Sequence, residues 1–268
     1  MKLTTLNLQG FTDWEQRKPE IVEYLKTTDP DIILFQEVVF LPDMSPLNQV
    51  QILNQELGYP YEHSAITRLQ PSPHYDVYRE GLGMLSKHPV MKSNTIVLKQ
   101  EEGDEHNRIL QLVDVLIDEQ LVKIANVHFS LTDTTDFATA HLLETLDIMS
   151  GHGEKRIIAG DFNIDRLEDL SHVWEDEYEA STKIPYVSFP AENKRNDYVL
   201  VPKPYTLKGL STSSDKLSDH VAVTFEIDTL LYHPNPIVHQ RRSSLYLPRR
   251  VVKQFLKILP AKERVYNK

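Results

Sequence analysis

The stretch that most constrains the fold is Arg156–Asn163, which reads Arg-Ile-Ile-Ala-Gly-Asp-Phe-Asn. Its apolar run is too short for a helix and is followed at once by polar residues, which predicts a buried β-strand. Asp161 and Asn163 lie two positions apart, so an extended backbone points both side chains to the same face. In α/β proteins, ligands bind at the carboxyl ends of such strands. An ordinary Asp-Asn turn after a strand would explain the same residues, so this stretch alone leaves both interpretations open.

Three other strand-like runs end in polar residues in the same way. They end at Asn7, at Gln36-Glu37 and at His128, and the triplet Ser218-Asp219-His220 leads into a further apolar run. This repetition favours a functional site over an isolated turn.

In their order along the chain, these pieces resemble the endonuclease/exonuclease/phosphatase superfamily. Its members include DNase I, the exonuclease III-type abasic-site endonucleases, the neutral sphingomyelinases and the inositol polyphosphate 5-phosphatases. Each piece is weak alone, but seven occur in the family order across residues 1–228 and none beyond them. The seven pieces are Asn7, Gln36-Glu37, Glu80–Ser86, Asn126-Val127-His128, Gly160–Asn163, Asn196-Asp197-Tyr198 and Ser218-Asp219-His220.

Charge divides the 268-residue chain into two unequal parts. The formal net charge is −10, but residues 229–268 carry nine basic residues against one acid, so residues 1–228 carry −18. A body so acidic repels polyanions except where a metal or local arginines intervene. We therefore predict a catalytic domain over residues 1–228 and a basic C-terminal extension over residues 229–268. Between Pro248 and Pro260 the extension is compatible with an amphipathic helix that has one basic side, which is typical of elements that contact anionic surfaces or partners.

The sequence also restricts the compartment and the metal chemistry. The chain has no cysteine, which excludes disulfides and thiolate metal sites. No stretch approaches the roughly 20 apolar residues of a membrane span, and polar residues interrupt the start where a secretory signal would need an apolar run. We expect a cytoplasmic protein, and nothing in the sequence indicates its oligomeric state.

Strand-like and helix-like segments alternate in two comparable halves. Some links between strands are too short for a parallel crossover, so mixed sheets are expected. The resemblance implies an α/β (α+β) fold, a four-layered sandwich of two packed mixed β-sheets flanked by helices. We expect helices over Glu15–Thr28, from Ser45-Pro46 to Gly58, over Phe137–Met149 and, short and acidic, over Leu167–Tyr178, with a surface loop over residues 60–80.

The resemblance implies a set of metal ligands. Mg²⁺ prefers oxygen ligands, usually one or two carboxylates completed by waters and substrate phosphate. The family pattern makes Glu37 the first ligand, with the Asn7 carbonyl oxygen beside it and Asp219 as an acid near the metal. The expected cofactor is Mg²⁺, with Mn²⁺ as the alternative.

The resemblance also implies roles around the phosphate. Asp161 would orient or deprotonate the attacking water, and Asn163 would bond a phosphoryl oxygen. His220, held by Asp197, would stabilise the pentacovalent phosphorus. His128, paired with Glu80, would act as acid to the leaving group, as in the DNase I-like branch. Arg108 would contact a substrate phosphate.

The function expected from the sequence is Mg²⁺-dependent hydrolysis of a phosphodiester, with a nucleic acid as the first candidate substrate. A phospholipid or inositol-phosphate substrate, as in a sphingomyelinase, would use the same residues. An inactive binding module of the same fold is the alternative that is not an enzyme.

Overall fold

The computed structural model describes residues 1–70, 78–131 and 136–229, without the side chains of residues 67, 68 and 70. Apart from Thr229, the predicted basic extension lies outside this part of the chain. None of the described helices is long and apolar enough to cross a membrane. The elements follow in the order β1 (Lys2–Asn7), α1 (Trp14–Thr28), β2 (Ile32–Phe40), α2 (Gln49–Leu57), β3 (Tyr61–Gln70), β4 (Tyr78–Ser86), β5 (Val90–Val97), β6 (Ile109–Ile117), β7 (Gln120–His128), α3 (Asp136–Gly151), β8 (Ile157–Asp161), β9 (Tyr178–Ala180), β10 (Asp197–Pro202), β11 (Thr206–Thr212) and β12 (Val223–Asp228).

The strands form two mixed sheets of six strands each. The first sheet has the order β11-β12-β1-β2-β4-β3, and the second has the order β5-β6-β7-β8-β10-β9. The pairs β1–β2 and β7–β8 are parallel and the other pairs are antiparallel. Helices α1 and α3 make the crossovers that these parallel pairs require. With the flanking helices, this arrangement confirms the predicted four-layered α/β sandwich.

Alternation along the strands explains how the core is divided. In β8, Ile157 and Ala159 belong to the cluster between the sheets, whereas Ile158 belongs to the cluster under α3. In β10, Val199 lies between the sheets and Tyr198 packs on the outer side. Because side chains alternate with a period of two, Asp161 at the end of β8 and Asp197 at the start of β10 also face the space between the sheets.

Two helical predictions need correction. Helix α2 begins at Gln49 rather than near Pro46, because the Asn48 side chain accepts a bond from the Gln51 N–H and the Gln51 side chain accepts one from the Asn48 N–H. This reciprocal capping box marks the true start of the helix. The predicted helix over residues 167–178 is a short 3₁₀ helix, Leu167–Val173, followed by β9.

Three strands were not foreseen, namely the short strand β9 just described, β3 and β11. Residues 61–70, predicted as surface loop, form β3, which pairs with β4 along its whole length; residues 71–77 lie outside the described chain. Strand β11 is a half-exposed edge strand with a bulge near Gly209, so it lacks the apolar alternation that marks a strand in sequence.

A buried chain of side-chain amides joins the two sheets beneath the predicted site. Gln36 Nε2 in β2 donates to Asn126 Oδ1 in β7 at 2.8 Å. Asn126 Nδ2 donates to Gln111 Oε1 at 3.1 Å and to the backbone oxygens of Phe35 and Gly83 at 3.2 Å. A buried polar network is stable only when its members are satisfied in one arrangement. This network of amide hydrogen bonds therefore defines how β2 and β7 face each other, next to Glu37 and His128.

Candidate active site

The strand directions bring the predicted residues to one edge of the sandwich. The parallel pairs end at this edge, and β4 and β10, which run antiparallel to their neighbours β2 and β8, begin there. In the second sheet, Asp161 lies opposite His128 on one neighbour and opposite Asp197 on the other. Directly opposite residues share a face and lie close together. Three ionisable side chains from β7, β8 and β10 therefore meet on the inner face.

A glycine permits the close approach of β7 and β8 beside this cluster. Gly160 has a φ of +144°, and a Cβ there would lie 2.0 Å from the carbonyl oxygen of Val127. Only glycine adopts this conformation at so short a separation. The packing of β7 against β8 therefore requires glycine at position 160, directly before Asp161.

Asp161 is the centre of the site. Its Oδ2 lies 3.0 Å from Asn7 Nδ2, 3.6 Å from His128 Nε2 and 3.7 Å from His220 Nε2. Burial raises the pKa of Asp161 to about 6, although the charge of His220 acts in the opposite direction. At neutral pH the group is thus a carboxylate surrounded by N–H donors, with a pKa suited to accepting a proton.

His220 is held by Asp197 as the resemblance implied. Its Nδ1 lies 2.7 Å from Asp197 Oδ2. Burial would lower the pKa of His220, but the carboxylates of Asp197 and Asp161 outweigh burial and raise it to about 10. Ser188 Oγ accepts the backbone N–H groups of Asn196 and Asp197, which anchors the start of β10. His220 is therefore an imidazolium at neutral pH, and the structure presents its Nε2–H to the site.

Glu37 occupies a bulge in β2. The ladder with β4 shifts between Phe35 and Val38, and Glu37 has a φ of +50°, which is rare for a residue with a side chain. The side chain is 32% exposed. The pKa of Glu37 is raised to about 7, mainly because the carboxylate is poorly solvated and secondly because the charge of Glu80 lies near it. A strained residue that presents a crowded carboxylate is typical of a functional position.

Asn7 faces the site with its nitrogen. Asn7 Nδ2 donates to Glu37 Oε1 at 3.1 Å as well as to Asp161, while its Oδ1 accepts the Gln9 N–H at 2.9 Å. The expected ligand was the carbonyl oxygen, and in this arrangement Asn7 instead bridges the two carboxylates. The amide would have to turn over to offer its oxygen to a cation.

Glu80 does not meet His128 in the expected way, because Arg108 lies between them. Arg108 Nη1 is 3.0 Å from His128 Nδ1 and 3.9 Å from Glu80 Oε1. The structure therefore corrects the predicted Glu80–His128 pair, and it gives Arg108 a neighbour within the site in addition to its predicted contact with substrate phosphate.

Asn163 and Asp219 lie at the half-buried rim of the site. Asn163 has a φ of +51°, and its Nδ2 donates to the Phe129 carbonyl oxygen at 2.9 Å. Asp219 Oδ1 accepts from Ser218 Oγ at 2.9 Å, and its backbone N–H donates to Gln9 Oε1 at 3.2 Å. Their predicted roles toward phosphate and metal stay predictions.

Arg17 is a buried site residue that sequence reasoning missed. Its Nη1 donates to the Leu217 carbonyl oxygen and its Nε to that of Thr12, both at 2.7 Å. These bonds tie the segment after Asn7 to the segment before Asp219. The only signal in the sequence was an arginine among the apolar positions of α1, which is ordinarily a solvated charge.

Among the described residues, one cluster of three side chains and the Glu37 carboxylate are candidates for holding a metal ion. Ligand atoms of Asp161, Asp197 and His220 lie within 4.8 Å of one another, but His220 would first have to lose the proton that both carboxylates stabilise. Glu37 is a better fit, because its carboxylate is crowded by those of Glu80 and Asp161. Clustered carboxylates are relieved by a cation, and oxygen ligands suit a hard divalent ion. The residues present therefore fit a divalent metal at Glu37.

Comparison with known proteins agrees with this geometry. The model of the endonuclease/exonuclease/phosphatase family matches residues 4–220, most of the chain. The chain belongs to this family. Family members generally hydrolyse phosphate ester bonds and typically use a divalent metal. No curated protein matches the chain by sequence.

Solved structures share the fold of the family. The family protein from Leptotrichia buccalis C-1013-b is 17% identical, with a TM-score of 0.69 over 85% of this chain and 99% of its own. The Beutenbergia cavernae DSM 12333 protein is 19% identical, with a TM-score of 0.70 over 85% and 71%. The human Nocturnin catalytic domain, solved with a bound sulfate anion, is 19% identical, with a TM-score of 0.66 over 85% and 94%. At these identities the likeness shows the shared fold.

Proposed function

We propose that this family member is a phosphodiesterase that depends on Mg²⁺, with Mn²⁺ as the alternative ion. The observation that carries the proposal is the Asp161 carboxylate, which lies 3.6 and 3.7 Å from the Nε2 atoms of His128 and His220. Phosphoester hydrolysis needs a group that accepts a proton from water and donors that face the phosphoryl oxygens. Here the carboxylate and the two ring nitrogens lie close together in one buried site, and they come from the ends of β7 and β8 and from the segment before β12.

The chain's own residues divide the work by their charge. Asp161 orients and deprotonates water, since it is ionised above about pH 6. The His220 imidazolium donates to a phosphoryl oxygen as negative charge grows there, and Asp197 keeps that ring protonated and oriented. Glu37 and Asp219 would supply oxygen ligands for the cation. A bound divalent ion would neutralise phosphate charge and lower the pKa of water.

Nucleic acid is the first substrate that we propose. The support is His128, which the resemblance places in the DNase I-like branch, together with the basic extension. A phospholipid or an inositol phosphate offers the same phosphoester to the same residues and is the second candidate. We retain a cytoplasmic location as a prediction.

Removal of divalent metal is expected to abolish hydrolysis, because the clustered carboxylates around Glu37 repel an anionic phosphate unless a cation neutralises their charge. The purified protein would be assayed against DNA, RNA, sphingomyelin, inositol phosphates and a chromogenic bis-phosphodiester, with and without a chelator. Activity should return with Mg²⁺ or Mn²⁺, and Glu37→Gln should need far more metal. Undiminished turnover in excess chelator would rule out the metal-dependent mechanism.

The pH profile should report two groups of the site. The ratio kcat/KM is expected to rise with pH through about 6 as Asp161 ionises, and to fall as pH approaches about 10 as His220 loses its proton. Glu37, with a pKa of about 7, adds to the acidic limb when metal is not saturating. Rates for a soluble phosphodiester at saturating metal from pH 5 upward would test this, and a flat acidic limb would contradict the role of Asp161.

We propose that the basic extension attaches the enzyme to an anionic surface. Truncation after the buried Thr229 should leave hydrolysis of a small soluble phosphodiester nearly unchanged. It should weaken binding to nucleic acid or anionic vesicles and reduce the salt dependence of that binding. Replacing Arg249, Arg250, Lys253 and Lys257 by glutamine in the full chain is the control for charge alone. Equal binding by the truncated and full-length proteins would disprove the proposal.

A further inference from the structure

Arg108 lies in a buried row with Glu80 on one side and His128 on the other. The three residues are 6%, 7% and 5% exposed respectively. Arg108 Nη1 is 3.0 Å from His128 Nδ1 and 3.9 Å from Glu80 Oε1. The guanidinium can therefore neutralise Glu80 while it bonds the histidine ring.

The direction of the bond between Arg108 and His128 follows from the chemistry of the two groups. A guanidinium has five N–H donors and no acceptor, so His128 Nδ1 must be the acceptor. The ring proton is then on Nε2, because a neutral imidazole carries one N–H. A doubly protonated ring would place an N–H against an N–H and one cation against another.

The Nε2–H of His128 faces the centre of the site. His128 Nε2 lies 3.6 Å from Asp161 Oδ2 and 4.0 Å from Glu37 Oε1. The partner of Nδ1 distinguishes this ring from His220, whose Nδ1 contacts the Asp197 carboxylate. Two histidines thus approach the Asp161 carboxylate. The Nδ1 atom of His128 contacts a cation, Arg108, whereas that of His220 contacts an anion, Asp197.

We propose that Arg108, oriented by Glu80, is a positioning residue that fixes His128 as the neutral Nε2–H tautomer, so that His128 offers a hydrogen bond to an oxygen of the phosphate ester. The inference rests on the proposed phosphoesterase function and deepens it. It replaces the expectation that Glu80 holds His128 as an acid, since that arrangement needs the Nδ1–H to point at a carboxylate. Because a cation contacts Nδ1 of His128 and an anion contacts Nδ1 of His220, His128 would act as a neutral hydrogen-bond donor and His220 as a cation.

The tautomer can be measured without any substrate. The full chain would be labelled with ¹⁵N-histidine, and the ring nitrogens of His128 would be assigned by their absence in His128→Gln. We expect Nδ1 to be unprotonated and Nε2 protonated at neutral pH in the wild-type protein. In Arg108→Met this preference should be lost, while Arg108→Lys, which keeps one N–H donor, should retain it. A protonated Nδ1 in the wild-type protein would overturn the inference even if the protein proves to be an active phosphodiesterase.

Kinetics on a phosphodiester that the enzyme hydrolyses would test the positioning role. Arg108→Met is expected to lower kcat about 10²-fold with little change in KM, as for loss of one preorganised donor. Arg108→Lys should recover part of the loss, and Arg166→Met, at an exposed ion pair with Asp169, is the matched control. A raised KM with unchanged kcat would mean that Arg108 binds substrate instead, and would overturn the proposal. If Arg108→Met fails to fold, the wild-type tautomer still decides.

Discussion

Replacing Asp161 by asparagine is expected to lower kcat about 10⁴-fold, at the upper end of what a general base supplies, while the protein stays folded. Asparagine has nearly the same shape but cannot take a proton from water at neutral pH. The Asp161 carboxylate also accepts hydrogen bonds from Asn7 Nδ2 at 3.0 Å and from the Asn163 backbone N–H at 2.9 Å. The single amide oxygen of asparagine can retain only part of these hydrogen bonds. Turnover of the best substrate from the metal-dependent screen is the measurement.

The matched control for this change is Asp169→Asn. Asp169 is an exposed acid of the 3₁₀ helix Leu167–Val173, paired only with the exposed Arg166 in the described part of the chain. Its replacement should leave kcat within about twofold of wild type, since a surface ion pair contributes little. Near-normal turnover by Asp161→Asn would show that this carboxylate is not the base, and the role assigned to the centre of the site would fail.

The second large effect concerns the two histidines that face Asp161. His128→Ala and His220→Ala are each expected to lower kcat by about 10² to 10³-fold, because each removes one N–H donor from the transition state. The affinity for substrate should change much less. His220→Ala should have the greater effect, since it removes a charge and also leaves the fully buried Asp197 carboxylate without its 2.7 Å partner.

The double variant separates joint from independent action. If both histidines act on one transition state, the double loss should be much smaller than the product of the single losses. Single-turnover rates and thermal unfolding of all three variants would be compared with those of His88→Ala, which replaces a half-exposed histidine near Asp31. A single variant with near-normal turnover would make that histidine structural.

The sequence by itself indicated most of the residues that the structure brings together at this edge of the sheets. Period-two alternation in the strands places Asp161 and Asp197 on the face that buries Ile157 and Val199. A polar residue that ends or begins such a strand is thus presented at the sheet edge, whatever the rest of the fold does. The family resemblance could be recognised for the same reason, since its motifs are short and local.

The resemblance implied the pairing of His220 with Asp197, but only the tertiary structure decided the other pairings. Arg108 separates Glu80 from His128, and the Asn7 amide turns its nitrogen toward Glu37 and Asp161. These contacts join residues that lie far apart along the chain, and two of them, Asn7 to Asp161 and Arg108 to Glu80, connect the two sheets. Their geometry depends on how the two sheets are stacked, which the buried bond from Gln36 to Asn126 helps to define.

Strand β3 and the burial of Arg17 are two features of the fold that could not be predicted from the sequence. Strand β3 exists because β4 offers it an unpaired edge, and its own residues lack a regular alternation. Arg17 is buried because the carbonyl oxygens of Thr12 and Leu217 converge on it, and Leu217 lies 200 residues further along the chain than Arg17. Local propensity and spacing carry no information about such partners, because the partners meet only when the chain has folded.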